Sequence, residues 1–113
     1  MTRIEVADMI KSIGLPYAYY QFPEGTAQKL PYVVFFYSSS DDLYADQMNY
    51  KKISTLNIEL YTDNKDFTLD AKIEQILNDN GLTYYKEENR IDSEKMWQTA
   101  YETEILIEDI VTT

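Results

Sequence analysis

The length of 113 residues and an apolar fraction of 44% suit a chain that folds around one core, and we expect a single domain over residues 1–113. A formal net charge of −10 means that the chain lacks the basic balance typical of nucleic-acid-binding proteins. The chain has no cysteine and no histidine, which excludes disulfides, thiolate and imidazole metal sites, and catalytic Ser-His-Asp or Cys-His arrangements.

The first predicted element is a helix near the N-terminus. Thr2 and Glu5 form a capping-box pattern, in which each side chain satisfies a backbone N–H of the first turn. The following apolar residues recur at helical spacing and stop at a glycine: Val6, Met9, Ile10, Ile13 and Gly14. We therefore expect a helix of about eleven residues.

Two strands are predicted next, over 17–22 and over 32–38. The second has apolar residues at both odd-numbered and even-numbered positions, with Tyr32, Val34 and Phe36 on one face. This pattern indicates that both faces of the strand are buried. Two explanations remain open: side chains of the same chain close the second face, or another subunit covers it.

Residues 38–50 form a polar segment, which we interpret as the tip of a long hairpin. Its candidate interaction residues are two aspartates and three larger side chains: Asp41, Asp42, Leu43, Tyr44 and Met48. Such a tip suits a segment that becomes ordered on assembly. The aspartates are interpreted as solvated, with weak cation binding as the alternative.

Residues 52–82 are predicted to form a strand, an acidic turn, a helix and a glycine stop. Apolar residues alternate in the strand and then take helical spacing, at Leu56, Ile58 and Leu60 and then at Leu69, Ile73, Ile76 and Leu77. Asp63 is the predicted N-cap, and Gly81 is predicted to end the helix in the left-handed conformation. The helix is expected to cover the apolar side of the strand.

The last part of the chain is predicted to contain strands over 82–87 and 96–107, joined by a turn over 88–94. The final strand alternates most regularly, and three glutamates on one of its faces are interpreted as solvated: Glu102, Glu104 and Glu108. The order of elements predicts an α+β fold, a two-layer sandwich with a mainly antiparallel sheet of four to five strands and two helices on one face.

No catalytic, cofactor or metal site is predicted from the residues. The three glycines are isolated, so no glycine-rich phosphate loop is present. A calcium loop from Asp63 to Glu74 fails, because Lys65 and Phe67 occupy ligand positions and Thr68 stands where glycine is required. Neither a membrane-spanning run nor a secretory signal is recognised. We expect a soluble, non-enzymatic protein that is made in the cytosol.

The whole chain resembles a known family of phage proteins. From the N-terminal helix through ELYTDNKD, KIEQILNDNGL and YYKEE to RIDSEKMWQTAYETEI, it is similar to the small head-tail joining proteins of tailed bacteriophages and prophages, the tail-completion or tail-terminator group. The resemblance implies a virion protein, assembled in the bacterial host cytoplasm, that forms a ring on the tail tube. The ring is expected to be a hexamer. No residue is carried over as a functional site.

The implied partners are further copies of the chain, the tail tube protein and the head connector protein. DNA would pass through the ring without sequence-specific binding, since carboxylates repel phosphates. A head-closure or minor capsid component fits the pattern equally. The alternative from another class is an acidic protein-binding module, such as an inhibitor that imitates the charge of DNA. A small metal-assisted hydrolase is a third hypothesis.

Overall fold

The computed structural model describes residues 1–23, 28–44 and 50–108, with 40–44 and 50–52 described by their backbone alone. These residues form two α-helices, five strands and one short 3-10 helix. In chain order the elements are α1 (Arg3–Lys11), β1 (Tyr17–Tyr19), β2 (Tyr32–Tyr44), β3 (Tyr50–Thr62), α2 (Phe67–Asp79), β4 (Tyr85–Ile91), the 3-10 helix (Asp92–Glu94) and β5 (Met96–Ile107).

The five strands form one sheet in the order β1-β2-β3-β5-β4. β1 runs parallel to β2, and every other neighbouring pair is antiparallel. Both helices pack against the same face of this sheet, here called the helix side. The predicted α+β fold with a mainly antiparallel sheet is confirmed.

The hydrophobic core lies between the helices and the helix side of the sheet. Its helical part comes from α1, the turn after it and α2: Val6, Met9, Ile10, Ile13, Ile73 and Leu77. Its sheet part comes from β2, β3 and β5: Val33, Phe35, Leu56, Ile58, Leu60, Tyr101, Ile105 and Ile107. Every second residue is buried from Ser54 to Thr62 in β3 and from Thr99 to Ile107 in β5, as strands with one wet face require. The predicted alternation and helical spacing are confirmed.

Both helices begin at a side chain that accepts a hydrogen bond from a backbone N–H. Thr2 Oγ1 accepts from the N–H of Glu5 at 3.1 Å, and Glu5 Oε1 accepts from the N–H of Thr2 at 2.9 Å, as the capping box predicts. In α2 the N-cap is Asp66, whose Oδ1 accepts from the N–H of Leu69 at 3.0 Å. The prediction of Asp63 is wrong, because an N-cap must directly precede the first helical turn.

The first strand ends earlier than predicted. Tyr20 has a φ of 68°, which takes the backbone out of the extended conformation after Tyr19. The N–H of Tyr20 still donates to the carbonyl oxygen of Phe35 at 2.8 Å. The chain therefore turns away from the sheet after Tyr19 but keeps one further backbone hydrogen bond to β2.

The strand after α2 lies further along the chain than predicted. Gly81 has the expected left-handed φ of 71°. The predicted strand over 82–87 is instead β4, and the predicted turn over 88–94 shrinks to the 3-10 helix. β4 is a polar edge strand, so its position is set by backbone pairing with β5, for example Asn89 opposite Gln98, and not by an apolar pattern.

β2 and β3 form one long hairpin, as expected, but its strands extend further than predicted. The pairing runs from Tyr32 opposite Tyr61 to Tyr44 opposite Tyr50. The segment predicted to be a polar tip from residue 38 is therefore strand up to Tyr44. Polar side chains are compatible with this position because backbone hydrogen bonds to β3, and not apolar burial, define the outer part of β2.

Candidate interaction surfaces

The face of the sheet opposite the helices, here called the open face, has two halves of different chemistry. Residues of neighbouring strands form cross-strand rows on this face. From β2 to β4 the rows are Tyr32–Tyr61–Gln98–Asn89, Val34–Glu59–Ala100–Glu87 and Phe36–Asn57–Glu102–Tyr85. The part formed by β2 is aromatic and apolar, and the part formed by β3, β5 and β4 is polar and acidic.

The predicted contact residues Tyr32, Val34 and Phe36 lie together on the apolar half. Val34 is buried, and the other two are partly buried. The Tyr20 ring meets the Phe36 ring edge-on at a centroid distance of 5.7 Å, and Phe22 meets Tyr32 in the same way at 5.3 Å. Aromatic side chains of the same chain thus cover this part of β2. A role of these residues in subunit contact remains a prediction.

The sheet edge at β1 presents exposed tyrosines that the sequence pattern did not single out. Tyr17, Tyr19 and Tyr20 are 40%, 53% and 65% exposed. Tyrosine is enriched at the energetic centres of protein interfaces, because it offers a large rigid surface with a polar tip. In the sequence these residues fit an ordinary strand equally well, so no pattern distinguishes them.

The remaining predicted contact residues lie at the outer end of the β2–β3 hairpin. Asp41, Asp42, Leu43 and Tyr44 belong to β2 and pair through their backbones with residues 53, 52, 51 and 50. Met48 lies outside the described residues. A contact role for these five residues remains a prediction.

The hairpin extends beyond the rest of the sheet. The pairing of β3 with β5 ends at Lys52, which lies opposite Ile107, whereas β2 and β3 remain paired up to Tyr44 and Tyr50. The radius of gyration is 15.5 Å, compared with roughly 13 Å for a compact domain of this length. The molecule is therefore elongated, and beyond β5 the hairpin continues as a short two-stranded arm of two described pairs, Leu43–Lys51 and Tyr44–Tyr50.

A chain of hydrogen bonds crosses the acidic half of the open face. Asn89 Nδ2 donates to Gln98 Oε1 at 3.0 Å, and Gln98 Nε2 donates to the Tyr61 hydroxyl oxygen at 2.8 Å. Tyr61 in turn donates to Glu59 Oε1 at 2.9 Å. Burial raises the pKa of Tyr61 to about 12, with Gln98 lowering it and Glu59 raising it. The hydroxyl therefore stays protonated at neutral pH and orients the Glu59 carboxylate.

A depression of about 520 Å³ lies on the same half of the face. Ala100, which lies opposite Glu59 and Glu87 in one cross-strand row, is among its lining residues. Glu102 and Tyr85 line it as well. The sequence shows these residues only as alternating polar positions, and the carboxylates come together through the pairing of three strands.

A second group of charges, on the helix side, joins α2 to the edge strand β4. Asp70 Oδ2 is paired with Lys65 and, at 3.3 Å, with Lys86. Lys65 Nζ lies 3.1 Å from Glu88, and Lys86 Nζ lies 3.0 Å from Glu74. The side chain of Asp70 is only 3% exposed, so these ammonium groups compensate a buried charge.

Tyr101 connects this charged group to the core. Its hydroxyl donates to Glu74 Oε2 at 2.8 Å, and its pKa is raised by burial and by that hydrogen bond. Burial alone would raise the pKa of Glu74, but hydrogen bonds from Tyr101 and Lys86 outweigh the effect of burial and lower this pKa below its ordinary value of 4.5. Burial would lower the pKa of Lys86, but Glu74 and Asp70 raise it above 10.5. Each shift favours the ordinary charge state at pH 7, which suits a structural contact.

In the part of the chain that the structure describes, no group of three or more histidine, cysteine, aspartate or glutamate side chains is arranged to hold a metal ion. The helices formed by these residues are too short and too polar to span a membrane.

Comparisons with known proteins identify a similar fold. No family model matches the chain, and no curated protein sequence matches it. Among solved structures, 27 chains match. One belongs to the structure of the virion of a native gene transfer agent (GTA) particle; it is 15% identical, with a TM-score of 0.51 over 88% of this chain and 85% of that chain. At this identity the likeness shows a shared fold.

Proposed function

We propose that this chain is a non-enzymatic structural protein of a phage or phage-like particle. The observation that carries the proposal is the fold likeness, over most of both chains, to a chain from the virion of a gene transfer agent. The finer proposal is a tail-completion or tail-terminator subunit, which acts as one domain over residues 1–113. Copies of it form a ring, expected to be a hexamer, that caps the tail tube and joins it to the head connector.

The elongated shape supports a role in assembly. A two-stranded arm extends past the pairing of Lys52 with Ile107, and an arm of this kind can reach a neighbouring subunit. The exposed tyrosines at β1 offer a second contact surface of the type found at interface centres. Both features suit a subunit that meets several partners in the virion, after synthesis in the host cytoplasm.

The charge distribution supports passage of DNA past the protein without binding. The carboxylates of Glu87, Glu102 and Glu104 are on one sheet face, where they would repel the phosphates of nucleic acid. No sequence-specific DNA contact is part of the proposal.

Negative-stain electron microscopy tests the proposal. Concentrated protein should form rings, and protein mixed with tail tubes of the same particle should form caps at the tube ends. Persistent monomers that leave the tube ends bare would contradict it.

A second candidate function is an acidic binding module that imitates the charge of DNA, favoured by the same carboxylates on the open face. Affinity purification from host extract distinguishes the two candidates. Recovery dominated by enzymes that act on nucleic acids would support the module, whereas recovery of virion proteins would exclude it as the main role.

A further inference from the structure

The edge strand β4 contributes no residue to the hydrophobic core. Five of its seven residues are exposed and none is buried, whereas β5 buries every second residue from Thr99 to Ile107. β4 pairs with β5 on one side and is the last strand of the sheet on the other. Its attachment to the fold therefore depends on backbone hydrogen bonds to β5 and on polar side-chain contacts.

Charged side chains attach the helix side of β4 to α2. Lys86 Nζ lies 3.0 Å from Glu74 Oε2 and 3.3 Å from Asp70 Oδ2, and Glu88 lies 3.1 Å from Lys65 Nζ. Lys65 also pairs with Asp70, and it lies in the connection before α2, outside β4. The buried carboxylate of Asp70 therefore keeps one cationic partner when β4 moves away, which avoids leaving an uncompensated buried charge.

The two ends of β4 are held differently. After β4 and the exposed 3-10 helix, Lys95 has a left-handed φ of 51°, a conformation that costs free energy in a residue with a Cβ atom. Before β4, the Thr103 hydroxyl donates to the carbonyl oxygen of Thr83, and the ring of Tyr84 meets that of Tyr101 edge-on. The chain is thus anchored up to Tyr84, and movement of β4 can relax the strained backbone at Lys95.

The rest of the sheet does not depend on β4. β5 is paired with β3 along its whole length, from Trp97 opposite Thr62 to Ile107 opposite Lys52. The core packs between both helices and the strands β2, β3 and β5. Removal of β4 would therefore leave a four-stranded sheet with the same hydrophobic core.

The register shows which backbone groups of β5 face β4. The carbonyl oxygen of Leu106 and the N–H of Glu108 bond to the backbone of Met1 on the side away from β3. Backbone groups of successive residues point to opposite sides of a strand, so the even-numbered residues of β5 bond toward β4 and the odd-numbered ones toward β3. The first set contains Gln98, Ala100 and Glu102, and the second contains Thr99, Tyr101 and Thr103.

We propose that β4 is a strap that opens from β5 as one unit while the other four strands and both helices stay folded. The charged contacts of Lys86 and Glu88 with α2 and Lys65 hold it closed. Opening uncovers the even-numbered backbone groups of β5, so the strap controls access to this sheet edge. The proposal requires only the isolated chain and does not rest on the proposed function.

Native-state hydrogen exchange, followed by NMR spectroscopy on the unaltered chain, tests the strap within a single strand. After correction for intrinsic rates, the amides of Ala100 and Glu102 should exchange at least about tenfold faster than those of Tyr101 and Thr103. Opening of the strap releases the first pair, whereas only unfolding of the core releases the second. Equal protection of the two pairs would overturn the proposal.

Two substitutions separate opening of the strap from global unfolding. Ile10→Val weakens core packing in α1, which is lost on unfolding and kept in the open form. It should speed exchange at Tyr101 and Thr103 about fivefold and leave Ala100 within about twofold. Lys86→Gln removes contacts that are lost in both reactions, so it should speed all of these amides about tenfold. Equal acceleration of both sets by Ile10→Val, or no acceleration at Ala100 by Lys86→Gln, would refute the strap.

A disulfide provides a matched control, because the chain has no cysteine. Asn89→Cys and Gln98→Cys, combined, place two thiols directly opposite each other on β4 and β5. Such a pair has a Cα separation of about 5.5 Å, which suits a disulfide. The oxidised form should protect Ala100 and Glu102 as strongly as Tyr101, and the reduced form should exchange at least as fast as the unaltered chain. Identical exchange in the oxidised and reduced forms would show that separation of β4 from β5 is not the opening reaction.

Discussion

The hydroxyl group of Tyr101 on β5 donates a hydrogen bond of 2.8 Å to the carboxylate of Glu74 on α2. Tyr101 is 1% exposed, and its ring meets that of Tyr84 edge-on at a centroid distance of 5.5 Å. The helix and the sheet are thus joined by a polar contact inside the apolar layer. Hydrogen bonds to charged groups contribute about 1.5–3 kcal/mol to stability.

Tyr101→Phe should lower the free energy of unfolding by about 1–3 kcal/mol, because the ring stays while the hydroxyl loses its hydrogen bond to Glu74 and a longer one of 3.4 Å to the carbonyl oxygen of Asp70. Urea denaturation measures the change. Tyr85→Phe is the matched control, since Tyr85 is 83% exposed, and it should change stability by less than about 0.5 kcal/mol. Equal effects of the two substitutions would show that the hydrogen bond is not a structural contact.

The stabilising effect of Glu74 should depend on pH. Hydrogen bonds from Tyr101 and Lys86 lower its pKa in the folded state, so the folded chain favours the ionised form more than the unfolded chain does. The resulting stability is present above the ordinary value of 4.5 and is lost as the pH falls through the lower folded-state pKa. The difference in unfolding free energy between the unaltered chain and Glu74→Gln should therefore be larger at pH 7 than at pH 3. A difference that grows on acidification would contradict the assignment.

Asp70→Ala should destabilise the chain by about 3 kcal/mol, the lower end of the range of about 3–5 kcal/mol for a broken buried ion pair. The expected loss of stability is at the lower end because Lys65 and Lys86 are partly exposed and retain Glu88 and Glu74 as partners. Asp92→Ala is the control, because its pair with Arg90 is exposed and such pairs contribute about 0–1 kcal/mol. Thermal or urea unfolding of both variants makes the comparison, and a loss for Asp70→Ala no larger than for Asp92→Ala would rule out the charged group as a stabilising contact.

Ile73→Ala should cost about 2–5 kcal/mol, as other large-to-small changes in cores do. Ile73 is 1% exposed and lies against the sheet, whereas Ile76 is only partly buried at the margin of the same helix face. Ile76→Ala should therefore cost less than Ile73→Ala. Ile4, 75% exposed on α1, provides the control and should tolerate alanine. Urea unfolding gives all three values, and a greater loss at Ile76 than at Ile73 would mean that the helix is rotated.

Shortening the hairpin should separate folding from assembly. Replacing residues 43–51 by Asn-Gly would close the hairpin directly after the pair of Asp42 and Lys52, with a turn that fits a two-residue connection. The pairing of β3 with β5 is preserved, so we expect an unchanged circular dichroism spectrum and a melting temperature shift of less than about 5 °C. Ring formation should be lost. A collapse of the melting temperature would show instead that the arm belongs to the folding core.

Elements with a strong local signal could be predicted from the sequence. The capping box at Thr2 and the alternation over Met96–Ile107 both reappear in the structure, because short-range patterns determine them. The position of β4 cannot be predicted in this way, since its sequence KEENR carries charges that pair with neighbours in space and has no apolar period. The outer part of the hairpin cannot be predicted for the same reason, because backbone pairing produces no apolar pattern in a polar segment.

The candidate surfaces could be predicted only in part. The shared face of Tyr32, Val34 and Phe36 could be predicted, because residues two apart along a strand point to the same side of the sheet. The depression around Ala100 depends on the pairing of β3, β5 and β4, which a sequence pattern does not specify. The sequence does not predict the burial of Asp70 either. An acidic residue on a helix is usually exposed, and the lysines that pair with Asp70 lie outside its helix.

The occupancy of tail-tube ends in negative-stain images shows directly whether this chain caps the tail tube. Tubes should be counted after incubation with the unaltered chain and with the chain shortened at 43–51. We expect ring-shaped caps on most tube ends with the unaltered chain and bare ends with the shortened one. Bare ends in both samples, with the unaltered chain monomeric at the highest concentration used, would contradict it.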